Sequence, residues 1–325
     1  GRRLRPPTRT QGEPRRIGVE LEMNGLALDQ LAELVADYLN LSIRPNGRYE
    51  RVLSGDAAGE WGVELDFRLL KELGHKEREK GTLSGELADS AEEVLKWLAD
   101  SLVPMELVSP PLPMARLDEV EELIRRLRAA GAKGTSDRLV NAFGMQFNPE
   151  VPDEGTETIT AYLKAFTCLY DWLYARADIN LSRQVTNYID PYPTEYRRLL
   201  VRADYWPDQS KLIDDYLTQN PTRNRALDML PLFTHLDEAR VRRQLDDPLI
   251  KARPAFHYRL PDCEIHRPDW TLALAWNDWL EVEALANDAH RLAGCCRAYD
   301  EFLAAPLDRW FGDWVKQVEA QWLLR

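Results

Sequence analysis

Four short segments of the chain alternate residue by residue, and they carry chemically matched pairs on one face. In RRIGVELEM, Ile17, Val19, Leu21 and Met23 point one way while Glu20 and Glu22 point the other. EWGVELDFR repeats the device with Glu64 and Asp66, VNAFGMQFN carries Gln146 and Asn148, and PAFHYRL carries His257 and Arg259. Period two is the signature of strands with two unlike faces. A half-solvated sheet would produce such alternation by itself. Solvated faces, however, favour Thr, Ser and mixed charges, whereas two of these strands offer adjacent carboxylates. Such pairs repel unless a cation lies between them.

Between and after the strands the spacing turns helical. Leu28, Leu31, Leu34, Val35 and Leu39 predict one helix. Leu117, Val120, Leu123, Ile124 and Leu127 predict another over 116–130, stopped by Gly131. A long helix is expected over 156–177, with others near 89–102, 194–202, 209–219, 236–245, 270–293 and 297–322. Residues 72–87 read as a polar surface loop. Strands interrupted by single helices, then mostly helices, imply an α+β fold with an antiparallel or mixed sheet. The division expected is an arm at 1–14 and a single catalytic domain over 15–325. Its part from about 194 onward is helical except for one late strand near 254–260. No internal repeat is visible.

Composition excludes some functions. The 325 residues hold 54 acids and 42 bases, a net charge of −12, which argues against a nucleic-acid-binding body. Apolar runs are too short to cross a membrane. The four cysteines form no CxxC pair and are expected as reduced thiols of a cytoplasmic protein. No phosphate-binding glycine loop, GxSxG elbow or HExxH is present. Oxygen ligands on rigid strands suit Mg²⁺ or Mn²⁺, and Mg²⁺ commonly works with phosphates.

The ordered motifs RRIGVELE, GVELD, MELVSPPL, FGMQFN and FHYR, with NPTRNRALDMLPLF, resemble those of the amidoligase family. That family belongs to the glutamine synthetase and glutamate–cysteine ligase superfamily of carboxylate–amine ligases. The resemblance runs from about Arg15 to about Ala286. It implies a curved, largely antiparallel sheet of glutamine synthetase-like type, with helices on its outer face. It implies ATP and Mg²⁺ as cofactors, and small-molecule or peptide carboxylates and amines as substrates. It assigns Glu20, Glu22, Asp66 and Glu106 to metal, with His257 as a further ligand. Arg259 is assigned to the transferred phosphoryl group, and Glu64 to accepting the amine proton. Gln146 and Asn148 stand where the superfamily often has histidines, and His257 stands where it often has glutamate. Arg223 and Arg225, with Lys251 and Arg253, are expected to hold phosphate or a substrate carboxylate. Two other readings use the same residues: a metal-dependent hydrolase, and a degenerate member of the fold that only binds ligand. The aromatic-rich C-terminal helices could pack within one chain or between chains.

Overall fold

The structure, a computed structural model, describes residues 12–66, 103–135, 143–179, 189–305 and 311–324. The loop expected at 72–87, the helix expected near 89–102 and most of the N-terminal arm lie outside these residues.

One open sheet organises the molecule, and its strands pair antiparallel throughout. β1 (Arg16–Met23) runs through its middle. On one side β1 pairs with β5 (Met105–Val108) and β6 (Leu112–Pro113), and beyond β5 come β4 (Trp61–Leu65), β3 (Glu50–Ser54) and β2 (Ser42–Pro45). On the other side lie β7 (Met145–Pro149), β9 (His257–Tyr258) and β8 (Leu227–Asp228). An α+β fold with an antiparallel sheet is what the alternation predicts.

The apolar face of β1 sets the core. Ile17, Val19, Leu21 and Met23 are all buried, as are Val63, Leu65, Met105, Leu107 and Phe147 on neighbouring strands. Helices cover this face. α1 (Leu28–Leu39) buries Leu28, Leu31, Ala32, Val35 and Ala36 at helical spacing and ends on Asn40 in the left-handed region. α2 (Leu117–Ala129) buries the five residues expected of it, and the chain turns at Gly131, whose φ is +105°. A left-handed φ is where glycine costs least, so the predicted stop has a backbone reason.

α3 (Thr156–Ala177) is buried along most of its length, including the polar stripe of Thr160, Lys164, Thr167 and Asp171. Its Phe166 meets Tyr258 of β9 edge-on, and its Tyr162 stacks on Phe256 at 4.7 Å. α8 (Leu272–Ala286) adds Trp276 against Phe147 and Trp279 against Tyr258. These aromatic pairs fasten β7 and β9 to the helical layer, each contributing about 1 kcal/mol beyond its area burial. Shorter helices α4 (Thr194–Leu200), α5 (Gln209–Gln219), α6 (Leu230–Leu236) and α7 (Glu238–Gln244) support β8.

Three expectations change in detail. The single helix expected over 297–322 is two, α9 (Ala289–Ala304) and α10 (Phe311–Gln321), while α8 ends at Ala286 rather than 293. The C-terminal part contributes two strands, not one, because Leu227–Asp228 also joins the sheet. The late strand is assigned only at His257–Tyr258, between Pro254 and Pro261, which donate no backbone hydrogen bond. Its pairing with β7 continues through Val151 N to Pro254 O, Phe256 N to Pro149 O and Met145 N to Pro261 O, each 3.0 Å. Among the described residues, no helix is long and apolar enough to cross a membrane.

Candidate active site

The polar face of the sheet floors a cavity of about 580 Å³. Strand register sets what lines it. Glu22 on β1 lies opposite Glu106 on β5, Glu106 opposite Glu64 on β4, and Glu64 opposite Glu50 on β3. Four glutamates thus form one row across four strands, and Asp66 lines the cavity just past the end of β4. Glu50 was not expected there. Its place follows from the β3–β4 register, which its own segment does not reveal.

A second row runs beside the first. Val52, Gly62, Val108, Glu20 and Gln146 are successive partners across β3, β4, β5, β1 and β7. Val52, Gly62 and Val108 give this row an apolar lane, and a Cβ built on Gly62 would meet nothing within 4 Å. The absent side chain leaves the floor flat.

Basic side chains share the lining. Arg223, Lys251, Arg253, His257 and Arg259 all line the cavity. Arg259, almost fully buried, donates to the backbone oxygen of Arg223. Arg223 donates from Nε to Asp247 at 2.9 Å. Arg242 binds the Asp247 and Ile250 oxygens, so the segment leading to Lys251 is held on both sides.

Two expected residues do not line the cavity. Arg225 turns away: its Nε donates to Asn220 Oδ1 at 2.9 Å and its Nη1 stands 3.9 Å from Asp190. Arg223 and Arg225 would share a face in a strand, but the backbone there is not strand, so only the first reaches the site. Asn148 sits one step behind the floor and donates to Glu20 Oε2 at 3.0 Å.

Burial and like charge divide the carboxylates. Burial, with Glu20, Asp66, Glu22 and Glu64 close by, pushes the Glu106 carboxyl well above the ordinary glutamate range. Burial also raises Glu64, with Glu50 and Asp66 adding to it, and the Glu64 and Glu106 carboxyls hydrogen-bond each other. Glu20 goes the other way. Burial would raise it, but His257, Arg253 and Asn148 outweigh burial and hold it at about 2. Glu20 is therefore a carboxylate with counter-charges at hand, whereas burial and acidic neighbours raise Glu106 and Glu64.

A residue missing from the sequence reading completes the wall. Asp228 on β8 is buried, with Oδ2 3.5 Å from His257 Nδ1. The other ring nitrogen of His257 is 2.6 Å from Gln146 Oε1 and 3.4 Å from Glu20 Oε2.

The donor set fits a hard divalent cation by its chemistry: it is all oxygen, presented by rigid strands, and mutually repelling. Among the described residues no three acidic, histidine or cysteine side chains stand ready-spaced around one point. Glu22 instead has its oxygens turned to Gly144 N and Gln146 Nε2.

No curated protein matches the chain. The model of one family, described as "Putative amidoligase enzyme", matches residues 13–281. That span contains every residue of the cavity wall. Because that model matches most of the chain, the chain belongs to the amidoligase family.

Proposed function

We propose that the chain is an ATP- and Mg²⁺-dependent carboxylate–amine ligase working through an acyl phosphate, on a sheet of glutamine synthetase-like type, in the cytoplasm. The observation that carries the reading is that the Glu22–Glu106–Glu64–Glu50 row shares one cavity lining with Arg223, Lys251, Arg253 and Arg259. Joining two substrates through a phosphorylated intermediate brings several anions together, so the enzyme's task is to manage charge.

Glu22, Glu106 and Asp66, with Glu64 between them, are the residues that would hold Mg²⁺, which when bound would neutralise phosphate oxygens. Glu20, ionised and tied to Asn148 and His257, supports them from the next row. Lys251, Arg253 and Arg223 would bind triphosphate, and Arg259 would stabilise charge on the phosphoryl group in transfer. The substrate carboxylate attacks the γ-phosphorus and ADP leaves. The amine nitrogen then attacks the acyl carbon, phosphate leaves, and the surplus amine proton goes to a base. Glu64 suits that role because burial and its acidic neighbours raise its carboxyl above the ordinary glutamate range and it lines the cavity.

The test is ATP binding by calorimetry and ADP release across a panel of small carboxylates, peptides and amines. ATP binding that needs a divalent cation, with ADP formed only when both substrates are present, supports the reading. The absence of both ATP binding and ADP release overturns it. The apolar lane supplies a sharper check. Gly62 has no steric neighbour and lies in a strand, where leucine packs better than glycine. Gly62→Leu should leave the unfolding midpoint unchanged or higher, and should lower kcat/KM at least about tenfold by filling the floor.

A further inference from the structure

Asp228 is buried and belongs to a two-residue strand, yet each of its carboxylate oxygens has an assignment. Oδ1 accepts from Leu230 N at 3.0 Å, and Oδ2 faces His257 Nδ1 at 3.5 Å. Across the ring, His257 Nε2 meets Gln146 Oε1 at 2.6 Å. The Gln146 amide nitrogen donates to Glu22 Oε1 at 3.3 Å, and Glu22 Oε2 accepts from Gly144 N at 2.8 Å. Four side chains from β8, β9, β7 and β1 therefore form one line of polar contacts that ends on the first glutamate of the row.

Each link permits one arrangement. Reversing the Gln146 amide would set its oxygen against the Glu22 carboxylate. The ring faces acceptors on both sides, Gln146 and Glu20 at Nε2 and Asp228 at Nδ1, so the Asp228 carboxylate fixes its tilt from the side away from the glutamates. Asp228 cannot easily move: the Tyr192 hydroxyl donates to Leu227 O at 2.6 Å, and the Tyr216 hydroxyl accepts from Met229 N at 3.1 Å. Both neighbours of Asp228 are thus clamped by buried tyrosines.

We propose that Asp228 is a positioning residue that, through His257 and Gln146, fixes the orientation in which Glu22 presents its carboxylate to the cavity. What Glu22 then holds, a divalent cation, rests on the ligase reading above. Groups behind a ligand commonly change cation affinity about tenfold to a hundredfold when removed.

The test uses the whole chain, Mn²⁺ alone as probe, and side-chain NMR. Asp228→Ala and Gln146→Leu should each weaken Mn²⁺ binding about tenfold or more. The double variant should be no weaker than the worse single, because both cut the same line. Additive losses, or a lowered unfolding midpoint with unchanged Mn²⁺ affinity, would mean that Asp228 only holds the fold. Asp228→Asn keeps the Leu230 contact and turns an NH₂ toward the ring, so it guards against misfolding. It should shift the His257 ring nitrogens and the Gln146 side-chain amide while other glutamine amides stay. If those resonances do not move, the proposal is wrong. Should the native chain bind no Mn²⁺, the cation part of the ligase reading fails, and the NMR arm still decides whether Asp228 sets Gln146.

Discussion

Glu106→Gln should give a protein that is more stable and catalytically dead. Glu106 sits in the middle of the row, directly opposite Glu22 on one side and Glu64 on the other. Its carboxyl is pushed well up by burial and by four acidic neighbours. Like charges directly opposite across a strand pair are destabilising, where cross-strand pairs act on a scale of up to about 1 kcal/mol each. Glutamine has the same shape, carries no charge, and can still donate to Glu64. The variant should therefore gain about 1–2 kcal/mol in urea unfolding at neutral pH. Mn²⁺ affinity should fall, and ADP formation should drop on the order of a hundredfold or more, because a charge-matching group is lost at the reacting phosphates. A destabilised variant would mean that the row is not under repulsion. An active one would remove Glu106 from the site. The trade between stability and activity is the mark of a site assembled against the preference of the fold.

Most of this site was legible because it lies on strands whose alternation is local. Glu20, Glu22, Glu64, Asp66, His257 and Arg259 follow from period two, and Glu106 from motif resemblance. What alternation cannot carry is register. Glu50 faces Glu64 only because β3 and β4 pair as they do, and the opposite face would have followed from a slip of one residue. Asp228 was hidden for another reason. Its strand has two residues, too short for any period, and its place depends on α5 and the tyrosines beneath it. Arg225 shows another limit: clustering of bases in NPTRNR does not tell which of them turns inward, and Arg225 is taken up by Asn220 and Asp190 instead. The helices show the same limit. α1 and α2 declare their buried stripes, whereas the end of α9 is marked not by period but by Pro306, two residues past Ala304, which cannot continue the helix.

Arg15 provides the second large effect, and it concerns the frame rather than the chemistry. In sequence it ends a basic, proline-rich stretch; in the fold it is 1% exposed. Its Nη1 and Nη2 donate to the two oxygens of Glu283 on α8 at 3.0 and 2.8 Å, a bidentate pair. Its Nε and Nη2 donate to Glu150 O at 3.0 and 2.6 Å. Trp279 Nε1 also donates to Glu283, at 3.2 Å. One guanidinium thus joins the start of β1, the end of β7 and the helix behind the sheet. Arg15→Ala leaves the Glu283 carboxylate buried without its cation and empties a side-chain volume. A loss of about 3–5 kcal/mol in urea unfolding is expected, the range for breaking one half of a buried pair. Removing both charges is a different matter, since two apolar residues need no solvation. Arg15→Met with Glu283→Leu should therefore cost far less than Arg15→Ala, about 2 kcal/mol or under, the Glu150 carbonyl and the Trp279 N–H being the groups left short of partners. If the double variant is as unstable as the single, the guanidinium holds the fold through the Glu150 carbonyl rather than through charge. Either way, the first strand of the site is anchored from the side opposite its chemistry, so carboxylates that repel on one face are held in register from the other.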